Sequence, residues 1–176
     1  MKKNRNKNYT EIGILGGTFD PPHIGHLYIS KVALKRLKLK KILWVKTKKN
    51  PLKKKPYLSE KIRIKLSKKL TKNNKKISVK YYDNKIKSSS TFKLLSYIKN
   101  KNKKTKIFFL IGADNLKKFH KWKNWKEIPK FAKIVIFPRK NYSISSIASK
   151  KLSKRDLVYI KCKKVNISSS LIKKFW

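Results

Sequence analysis

Acidic residues and cysteine are scarce in this sequence of 176 residues. Seven Asp and Glu residues stand against 51 Lys and Arg residues, which gives a formal net charge of +44 at neutral pH. Cys162 is the single cysteine. The chain therefore cannot form an intramolecular disulfide or build a zinc site from a cysteine cluster. Such cysteine usage is typical of a protein in a reducing cytoplasm.

Long hydrophobic runs are also missing. No segment approaches the roughly 20 apolar residues that a membrane-spanning helix requires. The basic N-terminal stretch "MKKNRNKNYTEIGILGG" contains an apolar piece that is too short for a signal peptide. We therefore expect a cytoplasmic protein with no membrane partner.

The positive charge alone would suggest a nucleic-acid partner, because a basic surface attracts polyanions and releases their counterions. However, lysine is spread over nearly every polar position, in runs such as "KTKKNPLKKKP" and "NKNKKTK", and does not form one stripe. A general excess of lysine, asparagine and isoleucine is typical of a coding bias. We expect no specific nucleic-acid partner, and a small basic RNA- or DNA-binding protein remains the alternative from a different class.

Short apolar runs alternate with longer segments of helical spacing along the whole chain. The runs are rich in β-branched and aromatic residues and predict buried strands. They are Ile12–Leu15, Lys41–Thr47, Ile77–Tyr82, Lys106–Gly112, Lys133–Phe137 and, more weakly, Leu157–Lys161. We expect one domain over residues 1–176, with an α/β fold: a Rossmann-like, doubly wound, mostly parallel sheet of five to six strands with helices on both faces.

The intervening segments predict four helices. They are "GHLYISKVALKRL", "LSEKIRIKLSKKL", "STFKLLSYIK" after Ser90, and "SSSLIKKFW" from Ser168. In the second of them, Leu58, Ile62, Leu66 and Leu70 form an apolar stripe, and Ser59 is a plausible N-cap. Ligands of such parallel sheets bind beyond the carboxyl ends of the strands.

The stretch "GGTFDPPHIGH" directly follows the first predicted strand. Because Gly16 and Gly17 lack side chains, they predict a tight turn and a close approach of the backbone to a ligand. A helix starting near residue 24 would present unpaired N–H groups and its positive dipole end. Thr18 offers a hydroxyl, and His23 and His26 offer imidazole N–H groups to phosphate oxygens. The stretch predicts a phosphate-binding turn, although the chain matches neither the Walker phosphate loop nor the dinucleotide fingerprint.

This stretch resembles the His-x-Gly-His signature of the nucleotidylyltransferase superfamily, and its longer form is similar to the nicotinate-nucleotide adenylyltransferase family. Three further stretches resemble that family in the same order: "TKKNPLKK", "FFLIGADNLKKFHKWKNWKEI" and "NISSSLIKK". The resemblance implies transfer of the adenylyl group of ATP to nicotinate mononucleotide, giving nicotinate adenine dinucleotide and pyrophosphate. The substrate phosphate would be the nucleophile, so the protein would supply positioning and charge stabilisation.

The resemblance also implies the site residues. His23, His26 and Thr18 would be catalytic. The ATP phosphates would contact Gly16, Gly17, Thr18, His26, Ser168, Ser169 and Lys173. The nicotinate nucleotide would contact Asp114, Trp122, Thr91, Lys123 and Lys53, with Trp122 stacked on the pyridine ring. Mg²⁺ would arrive on the ATP phosphates, and we expect no metal ligands from the protein.

The chain departs from the family pattern at four positions. Lys173 stands where the family usually has arginine, so charge is kept while bidentate phosphate pairing is lost. Ser170 replaces the usual threonine. Next to Thr91, Ser90 stands where the family has an aromatic residue, which removes part of the expected nicotinate pocket wall, and Lys93 replaces the acid expected to cap that helix.

Other acceptors stay open at this point. The amide form of the nucleotide, or another phosphorylated acceptor such as phosphopantetheine, would use the same histidine motif, but these rivals are not expected to carry the "GADNL...FHKW" segment. The sequence also leaves the choice between a monomer and a homodimer open.

Overall fold

The computed structural model describes residues 9–48, 50, 52, 55–163 and 167–175. Its centre is a six-stranded sheet in which every neighbouring pair of strands is parallel. The strands are β1 Thr10–Gly17, β2 Lys41–Lys46, β3 Ile77–Tyr81, β4 Thr105–Gly112, β5 Ala132–Phe137 and β6 Leu157–Tyr159. Their order is β3-β2-β1-β4-β5-β6. The predicted fold class is therefore confirmed.

Helices connect the strands. They are α1 Ile24–Arg36, α2 Glu60–Thr71, α3 Asp83–Ile86, α4 Thr91–Lys101, α5 Ala113–Lys118, α6 Ile147–Lys151 and α7 Ser169–Ile172. Short 3₁₀ turns follow at Phe119–Lys121, Trp125–Lys130, Lys154–Asp156 and Lys173–Phe175. No helix among the described residues is long and apolar enough to cross a membrane.

The strands are apolar on both faces, because successive side chains point to opposite sides of a sheet that is covered on both. In β4, Phe108 and Leu110 join the cluster that also contains Ala33 of α1. Phe109 and Ile111 join the opposite cluster, which includes residues of α4, α5 and α6. The alternation places helices on both faces, as the sequence predicted.

Helix α2 presents only part of the predicted apolar stripe to the core. Leu70 packs against a core cluster, but Ile62 is 45% exposed, and the fully buried positions are Arg63, Ser67 and Thr71. These polar groups can be buried because they find partners. Ser67 Oγ donates to the Arg63 carbonyl at 2.8 Å, and Thr71 Oγ1 donates to the Ser67 carbonyl at 3.0 Å. The predicted cap is present, since Ser59 accepts from the Ile62 N–H.

Strands β1 and β4 lie side by side at the point where the strand order reverses. From β1 the chain crosses to β2 on one side, and from β4 to β5 on the other. The connections after β1 and β4 therefore diverge and leave a crevice at their carboxyl ends. This crevice is where a ligand of such a sheet is expected.

Candidate active site

A cleft opens at the carboxyl ends of β1 and β4. The predicted residues that line it are Gly16, His23, His26 and Asp114, and Gly25 and Arg139 line it as well. Ser168, Ser169 and Lys173 belong to a segment beside the same turn, as the contacts below establish. The fold thus gathers most of the predicted phosphate-binding residues at the switch point of the sheet.

The two motif glycines do not form the turn that the sequence predicts. Gly16 and Gly17 are the last residues of β1, where they pair with Val45 and Lys46 of β2. No described glycine has a positive φ, and the left-handed residue of the turn is Phe19, at φ 49°. Both glycines are part of the strand because the parallel ladder continues through them before the chain turns.

Asp20 holds the turn in place. Its side chain is buried, and its two carboxylate oxygens accept the N–H groups of Tyr57 and Leu58, each at 2.8 Å. Burial alone would raise the pKa of Asp20, but these hydrogen bonds and the Lys173 ammonium outweigh burial and lower it. Asp20 is therefore a carboxylate that fixes the motif turn against the loop after β2.

His23 is the N-cap of α1 and is 6% exposed. Burial, assisted by the nearby Arg139 charge, lowers its pKa to about 4. The imidazole is therefore neutral near pH 7. The His23 side chain faces the backbone N–H of His26 in a capping-box arrangement, and the ring lines the cleft.

Gly25 is required by the position of the His23 ring. A Cβ atom at residue 25 would lie 2.9 Å from Cε1 and Nδ1 of His23 and 3.0 Å from Cγ2 of Ile167. These distances are shorter than van der Waals contact, so any side chain would displace the imidazole. The glycine of the His-x-Gly-His signature thus has a packing reason in this chain.

His26 lies one turn into α1. Its Nδ1 atom accepts the His23 backbone N–H at 3.2 Å, so a neutral ring carries its proton on Nε2. The rings of His23, Phe19 and Trp44 surround it at centroid distances of 3.8, 4.9 and 5.9 Å. Trp44 is itself held by a 2.8 Å hydrogen bond to Ser30. Packing and one backbone contact therefore fix both the tautomer and the orientation of His26.

The C-terminal segment lies against the motif turn. Ser169 Oγ donates to the Pro21 carbonyl at 2.8 Å, and Lys173 Nζ lies 3.0 Å from Asp20 Oδ2. Ser168 caps α7 by accepting the Leu171 N–H. Three predicted phosphate contacts thus stand beside the two histidines, and each already has a protein partner.

Asp114 lies in the first turn of α5, with its Oδ1 atom 3.8 Å from Nε of Arg139. Gly112 accommodates the carboxylate, because a Cβ atom at residue 112 would collide with Asp114 Oδ1. Arg139 also donates to the Ile167 carbonyl at 3.5 Å. The pair joins the end of β4 to the segment before α7, across the cleft.

The remaining predicted nucleotide contacts lie outside the residues that line the cleft. Trp122 is half-buried and packs against Phe119 and Phe109, at ring-centroid distances of 5.0 and 6.0 Å. Thr91 begins α4, and Lys123 is exposed. Trp125 is half-buried and packs against the core. Lys53 falls outside the described residues.

Sequence reasoning missed Arg63 and Arg139. Arg63 is buried on α2, with hydrogen bonds to two loops, and Arg139 lines the cleft. A signal was available, since arginine occurs at only five positions in a chain otherwise dominated by lysine. Arginine makes several directed hydrogen bonds from a rigid fork, which lysine cannot do. In a lysine-dominated chain, a rare arginine is therefore a candidate for a position that needs several directed hydrogen bonds.

No cluster of three or more His, Cys, Asp or Glu side chains that could hold a metal ion is found in the described ranges. The carboxylates near the cleft are instead paired with cations, Asp20 with Lys173 and Asp114 with Arg139. The absence of protein metal ligands stays a prediction.

The sequence matches the cytidylyltransferase-like family over residues 14–175. It is 48% identical over 176 residues to a probable nicotinate-nucleotide adenylyltransferase of Pelagibacter ubique, covering 98% of this chain and 97% of that protein. A probable nicotinate-nucleotide adenylyltransferase of Agrobacterium fabrum is 34% identical over 139 residues, covering 78% of this chain and 74% of that protein.

A solved structure supports the fold. The nicotinic acid mononucleotide adenylyltransferase of Plasmodium falciparum, complexed with NaAD, superposes with a TM-score of 0.77 at 22% identity. The match covers 95% of this chain and 84% of that chain. With the family match and the extent of the curated similarity, the chain belongs to the nicotinate-nucleotide adenylyltransferase family, within the cytidylyltransferase-like group.

Proposed function

We propose that this chain transfers the adenylyl group of ATP to nicotinate mononucleotide, using His23 and His26 to stabilise the reacting phosphates. The observation that carries the proposal is the pair of imidazole rings, 3.8 Å apart, at the start of α1 in the cleft. The names of the curated relatives give the same reaction class.

The reaction needs no nucleophile from the protein. An oxygen of the acceptor's 5'-phosphate forms a bond to the α-phosphorus of ATP while the bond from that phosphorus to the bridging oxygen breaks. The electron pair leaves with pyrophosphate, and the acceptor phosphate is already ionised, so no base has to remove a proton. Catalysis then rests on alignment of the two phosphates and on stabilisation of the charge.

The two histidines take different parts in this scheme. His26, protonated on Nε2, donates a hydrogen bond to an oxygen on which negative charge develops. His23 is neutral, and its ring lines the cleft next to His26. The N-terminus of α1, a helix of 13 residues, adds its positive end to the same region. These groups are in place before the reaction, so they stabilise the developing charge without a free-energy cost of reorganisation.

ATP enters as its Mg²⁺ complex, so the metal is part of the substrate. We assign its phosphates to Gly16, Gly17, Thr18, His26 and the C-terminal Ser168, Ser169 and Lys173. Lys173 must exchange Asp20 for a phosphate oxygen on binding, because its ammonium rests on that carboxylate at 3.0 Å. The exchange is feasible, since the lysine side chain is 33% exposed.

We assign the acceptor nucleotide to a region that starts at Asp114 in the cleft and extends beyond the cleft-lining residues to Trp122. Asp114 accepts a hydrogen bond from the acceptor nucleotide, and Trp122 offers a flat face for the pyridine ring. Backbone N–H groups near Thr91 and Lys123 donate hydrogen bonds to the nicotinate carboxylate, and Lys53 contributes a positive charge. We also propose a single catalytic domain that works in the cytoplasm.

A panel of acceptors tests this function. Pyrophosphate release is measured with MgATP and, in turn, nicotinate mononucleotide, nicotinamide mononucleotide and phosphopantetheine. The proposal expects the acid nucleotide to give the highest kcat/KM. Preference for the amide would keep adenylyl transfer and change the acceptor. Folded protein that turns over only phosphopantetheine would overturn the assignment to pyridine nucleotides.

A further inference from the structure

One buried arginine joins two loops at the edge of the cleft. Arg63 is 2% exposed, and its guanidinium donates to four backbone carbonyls. Its Nη1 atom lies 2.7 Å from the Thr18 oxygen and 3.0 Å from the Thr47 oxygen. Its Nη2 and Nε atoms lie 3.2 Å from the Lys48 oxygen and 3.1 Å from the Leu58 oxygen.

These carbonyls belong to two different parts of the site. Thr18 begins the motif turn after β1, whereas Thr47, Lys48 and Leu58 lie in the loop between β2 and α2. The two segments also touch directly, because the Thr47 N–H donates to the Gly17 carbonyl at 2.9 Å. A planar fork with several fixed donors can hold carbonyls from both segments at one spacing, which a single ammonium cannot do.

Arg63 uses its donors on backbone oxygens, and it forms no ion pair with a carboxylate in the part of the chain that the structure describes. Asp20 complements it from the motif side by accepting the Tyr57 and Leu58 N–H groups. The loop after β2 is thus held in two ways: its carbonyls accept from the Arg63 guanidinium, and its amides donate to the Asp20 carboxylate. Both holding residues are buried, so water does not compete for these bonds.

We propose that Arg63 is a positioning residue for adenylyl transfer, which keeps the motif turn and the loop after β2 at the spacing the two substrates need. The inference rests on the proposed function, since that function assigns the ATP phosphates to the turn and part of the acceptor to the loop. In-line attack requires the reacting atoms about 3 to 3.5 Å apart, and a displacement of about 1 Å can cost about 100-fold in rate.

The test compares Arg63→Lys and Arg63→Ala with Ser67→Ala. Ser67 is a matched control, because it is buried one turn further along α2 and its hydroxyl donates to the Arg63 backbone carbonyl. Each variant is assayed well below its own unfolding temperature, with kcat and both KM values determined separately. Hydrogen exchange of the Thr47, Tyr57 and Leu58 amides is followed in the same preparations, because each donates to the motif turn or to the end of β1.

We expect Arg63→Lys to lower kcat about 100-fold with each KM changed less than about 5-fold, because the residue touches neither substrate. Exchange of the Thr47, Tyr57 and Leu58 amides should rise at least about tenfold, since Arg63 no longer holds the neighbouring carbonyls. Added guanidinium ion should restore part of the kcat of Arg63→Ala. Ser67→Ala should lose stability and keep the wild-type kcat and the wild-type exchange of the loop.

The proposed function and the positioning role of Arg63 are contradicted by different results. If the wild type is active and the kcat of Arg63→Lys lies within about 3-fold of the wild-type value, the role of Arg63 is overturned and the proposed function is unaffected. Inactive wild type would count against the proposed function. In that case the exchange experiment still decides, because unchanged protection of the Thr47, Tyr57 and Leu58 amides in Arg63→Lys would show that Arg63 does not hold the loop.

Discussion

Lys173 and Asp20 form an ion pair at 3.0 Å across 153 positions of sequence. The pair joins the last helical segment to the turn of the histidine motif. Asp20 is almost fully buried, while Lys173 is one-third exposed. The lysine that the family pattern assigns to ATP phosphates is therefore held at the entrance of the site by a fixed carboxylate.

Replacing Asp20 by Asn should destabilise the protein strongly. The substitution removes the ion pair and turns an amide NH₂ group toward one of the two N–H donors of Tyr57 and Leu58. Losing hydrogen bonds to a buried carboxylate costs about 1.5 to 3 kcal/mol. Urea denaturation measures the change. Glu11→Gln is the matched control, since it breaks a surface pair with Lys106 and should cost less than about 1 kcal/mol. Equal losses in the two variants would contradict the account.

Lys173→Ala should raise the KM for MgATP about tenfold, because a cation on a phosphate contributes on the order of 1.5 kcal/mol. Lys174→Ala is the control, since Lys174 is the exposed neighbour in the same 3₁₀ turn. Steady-state kinetics at saturating acceptor gives the KM for MgATP of each variant. A KM unchanged in Lys173→Ala would mean that the lysine serves only the ion pair with Asp20.

Stability should fall as the pH drops from 6.5 toward 4. The pKa of His23 is about 4 in the folded protein and 6.5 in the unfolded chain, so the unfolded state binds the extra proton in this window. The stabilisation is complete above pH 6.5 and is lost through the window, by about 3 kcal/mol in all. Urea midpoints at several pH values measure it. The variant His23→Gln should lose this slope, whereas His120→Gln should keep it because His23 remains.

Gly25→Ala should displace the His23 ring, since the added methyl would lie 2.9 Å from it. We expect kcat to fall about tenfold or more, as for other small displacements of reacting groups. Gly17→Ala is a packing control, because its Cβ would lie 3.7 Å from Phe19, an ordinary contact. Thermal unfolding should therefore show a loss for Gly25→Ala that Gly17→Ala does not share. Similar unfolding temperatures would refute the packing argument.

Strand-forming runs and the histidine motif could be read from the sequence because they depend on local pattern. The six strands, the capping of α2 by Ser59 and the start of α1 at Ile24 follow from apolar runs and local side chains. The two motif glycines were misread, since their place in the ladder depends on pairing with Val45 and Lys46 of another strand.

Contacts between distant segments could not be predicted. Arg63 contacts Thr18 across 45 positions, and Asp20 contacts Lys173 across 153. Neither pair leaves a periodic signal, because each depends on where the completed fold brings two loops together. The buried polar positions of α2 were missed for the same reason, since Arg63 is buried through carbonyl partners from those loops.

The most direct test of the central claim is the kcat of pyrophosphate release for His26→Ala, with MgATP and nicotinate mononucleotide. His120→Ala serves as the control, because His120 is the third histidine of the chain and is not among the residues that line the cleft. We expect a loss of about 100- to 1,000-fold for His26→Ala, the usual effect of removing one donor from a charge-stabilising site, and near wild-type kcat for His120→Ala. A folded His26→Ala variant with the wild-type kcat would contradict the account.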